Sequence, residues 1–287
     1  MHIKIIDAHT HVQFSAFEKD YKTVIERAFD HEIGLINVGT QKDTSRRAVE
    51  IANEYETGVW ATVGLHPIHT EQSYHDAQEI GKAMGFVSRG EVFDKDHYKD
   101  LAVDPKVVAI GECGLDYYRL GEQAKKKQFA AFEAQIDFAR EIDKPLMIHC
   151  RKAFKDLIEI LKAQSSKLKA DCPGAIHFFS GTKDEAKELL NLGFSFTFGG
   201  VITFPPKAGQ PRADAPNYDE VVRYLPIESI LLETDAPYVA PAPYRGMRNE
   251  PMYIVEVAKK IAELKQLGYD EVAQKTTENV SRVFNIS

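Results

Sequence analysis

The chain has 287 residues, of which 44% are hydrophobic and 28% charged, and its formal net charge is −7. This length and composition favour one large globular domain over residues 1–287, and no apolar run is long enough to span a membrane. A protein that binds nucleic acid over its whole surface is usually basic, so the acidic balance argues against that class. Three cysteines, an odd number, argue against a disulfide framework and favour a cytoplasmic location.

Short β-branched or apolar runs recur along the chain, and each is followed by a stretch with helical periodicity. Predicted strands cover residues 3–7, 35–39, 59–65, 107–111, 146–149, 175–179, 194–198 and 230–233. Predicted helices cover residues 21–31, 44–55, 122–142, 153–163, 182–192, 219–224, 251–267 and 270–284, and a polar segment follows the third strand to about residue 106. Eight strand–helix units are the number that closes a parallel (β/α)8 TIM barrel, with an open doubly wound sheet as the alternative.

The first predicted strand ends in the segment Asp7-Ala-His9-Thr-His11. Residues two apart on a strand point to the same side, so the imidazoles of His9 and His11 can converge on one cation. Asp7 shares their face and could orient His9, or it could simply close the floor of the barrel. Two histidines at this spacing, taken alone, more often mark an ordinary polar strand end than a metal site. A metal site therefore needs further candidate ligands on the other strands.

Histidine or acidic residues also lie near the ends of four other predicted strands, as Glu112, His149, His177 and Asp235. In a barrel the carboxyl ends of the strands meet at one mouth, where active sites are found. Polar residues that cap helices explain one or two of these positions, but not the whole set. Burying imidazoles and carboxylates together without a cation would leave unpaired polar groups and repelling acids, so we predict a metal site. His66 ends the third predicted strand at the same mouth, as a ligand, a substrate contact or a structural residue.

The motifs at these positions resemble those of the TatD family of metal-dependent deoxyribonucleases, within the amidohydrolase-like barrels. The resemblance covers essentially the whole chain. It rests on Asp7-Ala-His9-Thr-His11, Gly64-Leu-His66-Pro67, Gly111-Glu112-Cys-Gly-Leu-Asp116-Tyr117-Tyr118, Ile148-His149-Cys-Arg151, His177-Phe-Phe-Ser-Gly181, Glu233-Thr-Asp235-Ala-Pro237-Tyr238, Tyr244-Arg245-Gly-Met-Arg248-Asn249 and Thr277-Glu-Asn279.

Membership of this family implies two divalent metal ions (Mg²⁺, Zn²⁺ or Mn²⁺) as cofactors and removal of nucleotides from DNA ends. Glu112 would bridge the two ions. By that similarity the metal ligands are His9, His11, Glu112, His149, His177 and Asp235. Two segments are unusual for the family, residues 86–106 and 205–216, and both are expected at the rim of the mouth. One hypothesis is that Lys207 and Arg212 form a lid over the departing nucleotide.

The predicted reaction is hydrolysis of a phosphodiester bond by a metal-bound hydroxide. The catalytic residues would be Asp235, which accepts a proton from that water, and Glu112, which holds the ions. Arginines suit phosphate oxygens through their planar fork of donors, although each could also be a solvated surface charge. The candidate substrate-binding residues are His66, Arg151, Arg245 and Arg248. Because few cations would face phosphate, we expect modest, salt-sensitive binding of DNA ends or single strands, with no obligate protein partner.

Two other functions stay open from the sequence. The same centre could hydrolyse an amide, ester or lactone bond, including D-aminoacyl-tRNA deacylation, because a fold does not settle a function. The barrel could also be a binding scaffold without catalysis, which the complete set of proposed ligands makes the weaker alternative.

Overall fold

The structure, a computed structural model, describes residues 2–75, 86–118, 122–169, 172–205 and 217–286. Its strands, in chain order, are β1 (Ile5–Thr10), β2 (Ile33–Val38), β3 (Val59–Val63), β4 (Ser73–His75), β5 (Phe86–Ser88), β6 (Val107–Asp116), β7 (Leu146–Arg151), β8 (Gly174–Ile176), β9 (Ser195–Phe198) and β10 (Ile230–Leu232). Eight of these strands form one parallel sheet in the order β1-β2-β3-β6-β7-β8-β9-β10. The short strands β4 and β5 form a separate antiparallel pair.

Helices connect the barrel strands and cover the outside of the sheet. They are α1 (Tyr21–Asp30), α2 (Lys42–Asn53), α3 (Lys95–Ala102), α4 (Glu122–Glu141), α5 (Phe154–Ala163), α6 (Lys183–Asn191), α7 (Tyr218–Tyr224), α8 (Ile254–Lys265) and α9 (Tyr269–Phe284). Within the described residues, one α-helix lies between each barrel strand and the next, and two follow β10. In the part of the chain that the structure describes, no helix is both long and apolar enough to cross a membrane.

The first and last strands of the sheet lie side by side and close the barrel. The backbone N–H of Asp235 donates to the carbonyl oxygen of His9 at 2.9 Å. The buried carboxylate of Asp7 accepts from the backbone N–H of Thr234 at 2.9 Å and from that of His9 at 3.2 Å. Asp7 therefore links the two strands at the closure of the barrel, rather than bonding the imidazole of His9.

Strand β1 contributes to both sides of the barrel wall. Ile6 and Ala8 belong to one hydrophobic cluster with residues of other barrel strands and of α9, so this face of the strand lines the inside of the barrel. Ile5 belongs instead to the cluster that includes the outer helices. The pairing of β1 with β2 shifts register between Asp7 and Thr10, and it is within this irregular end of the strand that His9 reaches the mouth. Every residue of β1 is buried, which is typical of a parallel strand covered on both faces.

The predicted barrel and its eight strand–helix units are confirmed, and the main differences are at strand ends. Strand β1 ends at Thr10, so it includes His9 as predicted and stops one residue before His11. Strand β6 continues to Asp116, so Glu112 lies within a strand rather than just after it. Apolar patterning misses these ends because they are polar, whereas pairing continues along the backbone, for example from Asp116 to Arg151 in β7.

The segment expected to be a polar connection up to residue 106 holds the strands β4 and β5 and the helix α3. Residues 206–216, and with them the suggested lid of Lys207 and Arg212, lie outside the described residues.

Candidate metal centre

All six predicted ligands meet at the mouth formed by the carboxyl ends of the barrel strands. Their positions follow from the strands: His9 and Glu112 lie within strands, and His149 lies near the end of β7. The other two histidines and the aspartate come just after a strand ends. The six residues that the barrel gathers are His9, His11, Glu112, His149, His177 and Asp235.

Glu112 lies at the centre of this group, and its two oxygens face different histidines. Oε2 lies 3.5 Å from Nε2 of His9 and 3.9 Å from Nε2 of His11. Oε1 lies 2.8 Å from Nδ1 of His149 and 3.7 Å from Nε2 of His177. The carboxylate therefore separates two groups of donor atoms, one on each of its oxygens.

The first group consists of His9, His11 and Asp235. Oδ1 of Asp235 lies 3.4 Å from Nε2 of His11 and 3.9 Å from Nε2 of His9, and the two Nε2 atoms are 3.2 Å apart. Nδ1 of His11 lies 2.7 Å from the carbonyl oxygen of Val38. A carbonyl can only accept, so Nδ1 carries the proton of the neutral ring and Nε2 presents a lone pair to the centre.

His177 is fixed in the same way, but by a carboxylate. Its Nδ1 donates to Oε2 of the buried Glu233 at 2.8 Å, which leaves Nε2 facing Glu112 and Asp235. The ring of His177 stacks on the ring of His9, with centroids 3.4 Å apart. A ring whose far nitrogen is held by an acceptor is the usual arrangement of a metal-binding histidine.

His149 differs because both of its ring nitrogens contact carboxylates. Nδ1 contacts Glu112, and Nε2 lies 3.0 Å from Oδ2 of Asp116. Burial opposes protonation of His149, but the bonds to Asp116 and Glu112 raise its pKa to about 10. The same pair acts on the acid: burial opposes ionisation, yet the bond to His149 lowers the pKa of Asp116 to about 2. Without a cation, His149 therefore carries a proton that a bound metal would displace.

The remaining charges favour a cation as well. Burial and the neighbouring charge of His177 lower the pKa of His9 to about 3, so His9 is neutral. Burial would raise the pKa of both Glu112 and Asp235, but the surrounding histidines hold that of Glu112 well below its usual range and lower that of Asp235. Burial opposes protonation of His177, but the charges of Glu233 and Glu112 raise its pKa to about 9, so His177, like His149, carries a proton that a bound metal would displace. The site thus offers ionised carboxylate oxygens and imidazole nitrogens within 4.0 Å of one another, which suits a divalent ion such as Zn²⁺ or Mn²⁺.

His66 also contacts Glu112, although its geometry favours support of that residue over ligation. Nε2 of His66 lies 3.2 Å from Oε1 of Glu112, while Nδ1 accepts the backbone N–H of Ile68 at 3.1 Å. Because Nδ1 accepts, the proton of the neutral ring is on Nε2 and points at Glu112. His66 is buried, which lowers its pKa and keeps it neutral. Contact with substrate stays a prediction for His66.

Two buried acids of the centre, Asp116 and Glu233, were not predicted as site residues. Both lay in the quoted motifs, and spacing could have found them, since Asp116 is four residues after Glu112 and Glu233 is two before Asp235. Even spacing along extended backbone puts side chains on one face. What spacing does not give is the partner, which in each case is a histidine from another strand.

The three candidate arginines have different environments. Arg151 is exposed and lies over the ring of Tyr118, with its Cζ 3.7 Å from the ring centroid. Arg245 lies over Phe204 at 4.5 Å. Arg248 instead donates to both carboxylate oxygens of Asp20, at 2.9 and 2.6 Å, and also bonds Glu250. This pairing favours a structural role for Arg248, while Arg151 and Arg245 stay candidates for phosphate.

A (β/α)8 barrel that gathers imidazoles and carboxylates at the carboxyl ends of its strands defines the class of barrel metal-dependent hydrolases. Comparison with known proteins gives the family. Residues 6–285 match the family described as TatD-related DNase. The chain is 36% identical over 284 residues to YabD of Bacillus subtilis, an uncharacterized metal-dependent hydrolase, with 99% of this chain and 100% of YabD covered.

A second relative, from Yersinia pseudotuberculosis, is named the 3′-5′ ssDNA/RNA exonuclease TatD, and it is 33% identical over 282 residues, or 96% of each chain. The crystal structure of YjjV, a TatD homologue of Escherichia coli, matches with a TM-score of 0.81 at 27% identity over 100% of both chains. This chain therefore belongs to the TatD family of metal-dependent hydrolases.

Proposed function

We propose that this hydrolase is a nuclease that releases nucleotides from DNA ends or single strands. The proposal rests on the position of Glu112 between two groups of histidines. Its Oε1 lies 2.8 Å from Nδ1 of His149, and its Oε2 lies 3.5 Å from Nε2 of His9. A carboxylate that faces one donor group with each oxygen suits a pair of cations, an arrangement used for in-line displacement at phosphorus. The exonuclease name of the Yersinia relative supports nucleic acid as the substrate.

The side chains divide the work in this proposal. His9, His11 and Asp235 would hold one ion, His149 and His177 would hold the other, and Glu112 would offer one oxygen to each group. Bound cations would supply an activated water and offset negative charge on the phosphate.

The other roles in the proposal are acceptance of a proton, support of Glu112 and binding of phosphate. The carboxylate of Asp235 is 16% exposed, so it can accept a proton from the attacking water at the open side of the centre. His66 donates to Glu112 and holds the bridging carboxylate in place. Arg151 and Arg245 bind phosphate oxygens at the rim.

The test begins with protein stripped of metal and reloaded separately with Mg²⁺, Mn²⁺ or Zn²⁺. Each form is assayed on end-labelled single-stranded DNA, duplex DNA and single-stranded RNA, and on simple phosphodiester, ester and lactone substrates. We expect stepwise release of mononucleotides with at least one metal, and a loss of about a hundredfold or more in Asp235→Asn. Hydrolysis of esters or lactones with no nucleotide release under any metal would overturn the proposal.

A further inference from the structure

An aromatic side chain with two cations against it lies on the rim of the mouth. Tyr118 is 45% exposed, Cζ of Arg151 lies 3.7 Å from its ring centroid, and Nζ of Lys152 lies 5.2 Å from it. Guanidinium groups stack on aromatic rings through cation–π attraction while their N–H edge stays open to an anion. An exposed ring beside such an edge offers both a stacking surface and phosphate donors.

This cluster is tied to the metal centre by short and rigid connections. Arg151 lies two residues after His149, so both side chains leave β7 on the same side, about 6–7 Å apart along the strand. Asp116 contacts Nε2 of His149 through Oδ2, and its Oδ1 accepts the backbone N–H of Tyr118 at 2.8 Å. The backbone of Tyr118 is thus held by the same carboxylate that contacts a proposed ligand.

The charges of the cluster are also available to a ligand. Among the residues that the structure describes, no carboxylate lies within 4.0 Å of the guanidinium of Arg151, in contrast to Arg248, which is paired with Asp20 and Glu250. The chain as a whole carries a net charge of −7, so an anionic substrate has to be held by local cations. A ligand that combines an aromatic base with a phosphate fits both parts of the cluster.

We propose that Tyr118, Arg151 and Lys152 form a nucleotide subsite beside the metal centre. The ring of Tyr118 and the guanidinium stacked on it bind one unpaired base, and Arg151 and Lys152 bind the phosphate next to it. This inference rests on the proposed nuclease function. It also gives a reason for single-strand preference, because a base can stack on this surface only when it has left the duplex.

The first experiment measures KM and kcat of the metal-loaded protein on a single-stranded oligonucleotide. Base–aromatic stacking implies that Tyr118→Ala raises KM about tenfold, with kcat within about twofold of wild type. Tyr118→Phe keeps the ring and should match wild type. The matched control is Tyr224→Ala. Tyr224 lies on α7, outside the mouth, and its ring is similarly exposed, with Nζ of Lys183 at 5.3 Å from the centroid. An unchanged KM in Tyr118→Ala would overturn the subsite.

A second experiment identifies the part of the nucleotide that Tyr118 contacts. An oligonucleotide with abasic terminal residues should bind wild type about tenfold more weakly, and Tyr118→Ala should add little further loss. An equal effect of Tyr118→Ala on abasic and normal strands would show that the ring does not stack a base. Arg151→Gln should reduce the slope of log affinity against log salt by about one, because one phosphate contact is lost.

The subsite and the nuclease proposal can fail separately. Binding is measured by fluorescence anisotropy in the Asp235→Asn background, which needs no turnover. Binding that is weakened by Tyr118→Ala, without nucleotide release by wild type, would contradict the nuclease function and leave the subsite supported. Nucleotide release by wild type, with binding unchanged by Tyr118→Ala, would contradict only the subsite.

Discussion

At the scale of single residues, hydrogen bonds to Nδ1 decide which ring nitrogen of His11 and His177 faces the centre. Val38 fixes His11 and Glu233 fixes His177, and in both rings Nε2 is turned to the centre. Glu233 is fully buried and also accepts from Thr197, so its position is set by two neighbouring strands. An acceptor of this kind fixes the tautomer of a ligand and makes its free nitrogen a better donor to metal.

Glu233→Gln tests this role with little change in volume. Removing the negative charge behind His177 should weaken metal affinity about 10- to 100-fold, measured by competition with a chelating dye. Glu228→Gln is the matched control, because Glu228 is exposed at 67% and lies before the same strand. Equal metal affinity in both variants would mean that Glu233 does not position His177.

Sequence spacing could place these residues on a face but could not choose their partners. Side chains alternate between two faces along extended backbone, so Glu233 points to the same side as Asp235, and Asp116 to the same side as Glu112. The bonds that decide their roles cross from one strand to another, as from Asp116 to His149, 33 residues away. Arg248 shows the same limit, because its partner Asp20 is 228 residues distant and local spacing could not predict this ion pair.

At the scale of elements, the pairing of β6 with β7 holds much of the centre. Gly114 pairs with His149 in this ladder, with a φ of +132°, and a Cβ at this position would lie 2.1 Å from the carbonyl oxygen of His149. A side chain here would have to push the two strands apart. The ladder therefore requires glycine between Glu112 and Asp116.

We expect Gly114→Ala to lower the free energy of unfolding by about 2 kcal/mol or more, because a backbone clash adds to an unfavourable φ. Metal affinity should fall about tenfold in the same variant, since His149 is displaced. Chemical denaturation and metal titration measure the two effects. Gly268→Ala is the control, because a Cβ there would meet no described atom within 4 Å. Wild-type metal affinity in Gly114→Ala would contradict the argument.

The segment after β10 is anchored to the start of α1 by Arg248 and Asp20. The guanidinium bonds both oxygens of Asp20, which lowers the pKa of that carboxyl below its usual range. A lowered pKa stabilises the folded state above the pKa of the unfolded chain, and this contribution is lost as pH falls. The pair is partly exposed, at 33% and 38%, so solvent screening limits its contribution to about 1 kcal/mol.

Asp20→Asn should therefore destabilise the protein by about 1 kcal/mol at pH 7, and the difference from wild type should shrink below about pH 4. Urea denaturation at a series of pH values measures it. Asp30→Asn, at the exposed far end of α1, should change stability little at any pH. A difference for Asp20→Asn that stays constant down to pH 3 would show that the ion pair is not its cause.

At the scale of the whole molecule, the barrel collects from distant parts of the chain what no single segment contains. Apolar periodicity predicted the eight units, and their C-terminal ends predicted where the ligands meet, because parallel closure allows only one mouth. The exact ends of β1 and β6 were not predictable, since polar residues extend these strands by backbone pairing and not by burial of apolar surface.

The same scale sets how this acidic protein can bind a polyanion. With a net charge of −7, we expect favourable contacts mainly at the mouth, where Arg151, Lys152 and Arg245 lie against aromatic rings. Two or three phosphate contacts imply a slope of about −1.5 to −2 for log affinity against log salt with single strands. Duplex DNA should bind more weakly, since its paired bases cannot reach those rings.

Anisotropy titrations of Asp235→Asn with labelled single-stranded and duplex DNA, between about 50 and 300 mM salt, measure both quantities without cleavage. We expect the single strand to bind more tightly than the duplex at every salt concentration. In Arg151→Gln, the slope of log affinity against log salt should decrease in magnitude by about one. Nanomolar binding of long duplex at physiological salt, or a slope several-fold steeper, would require a phosphate-binding surface well beyond the mouth. The inference from the net negative charge, that the substrate is held mainly at the mouth, would then be wrong.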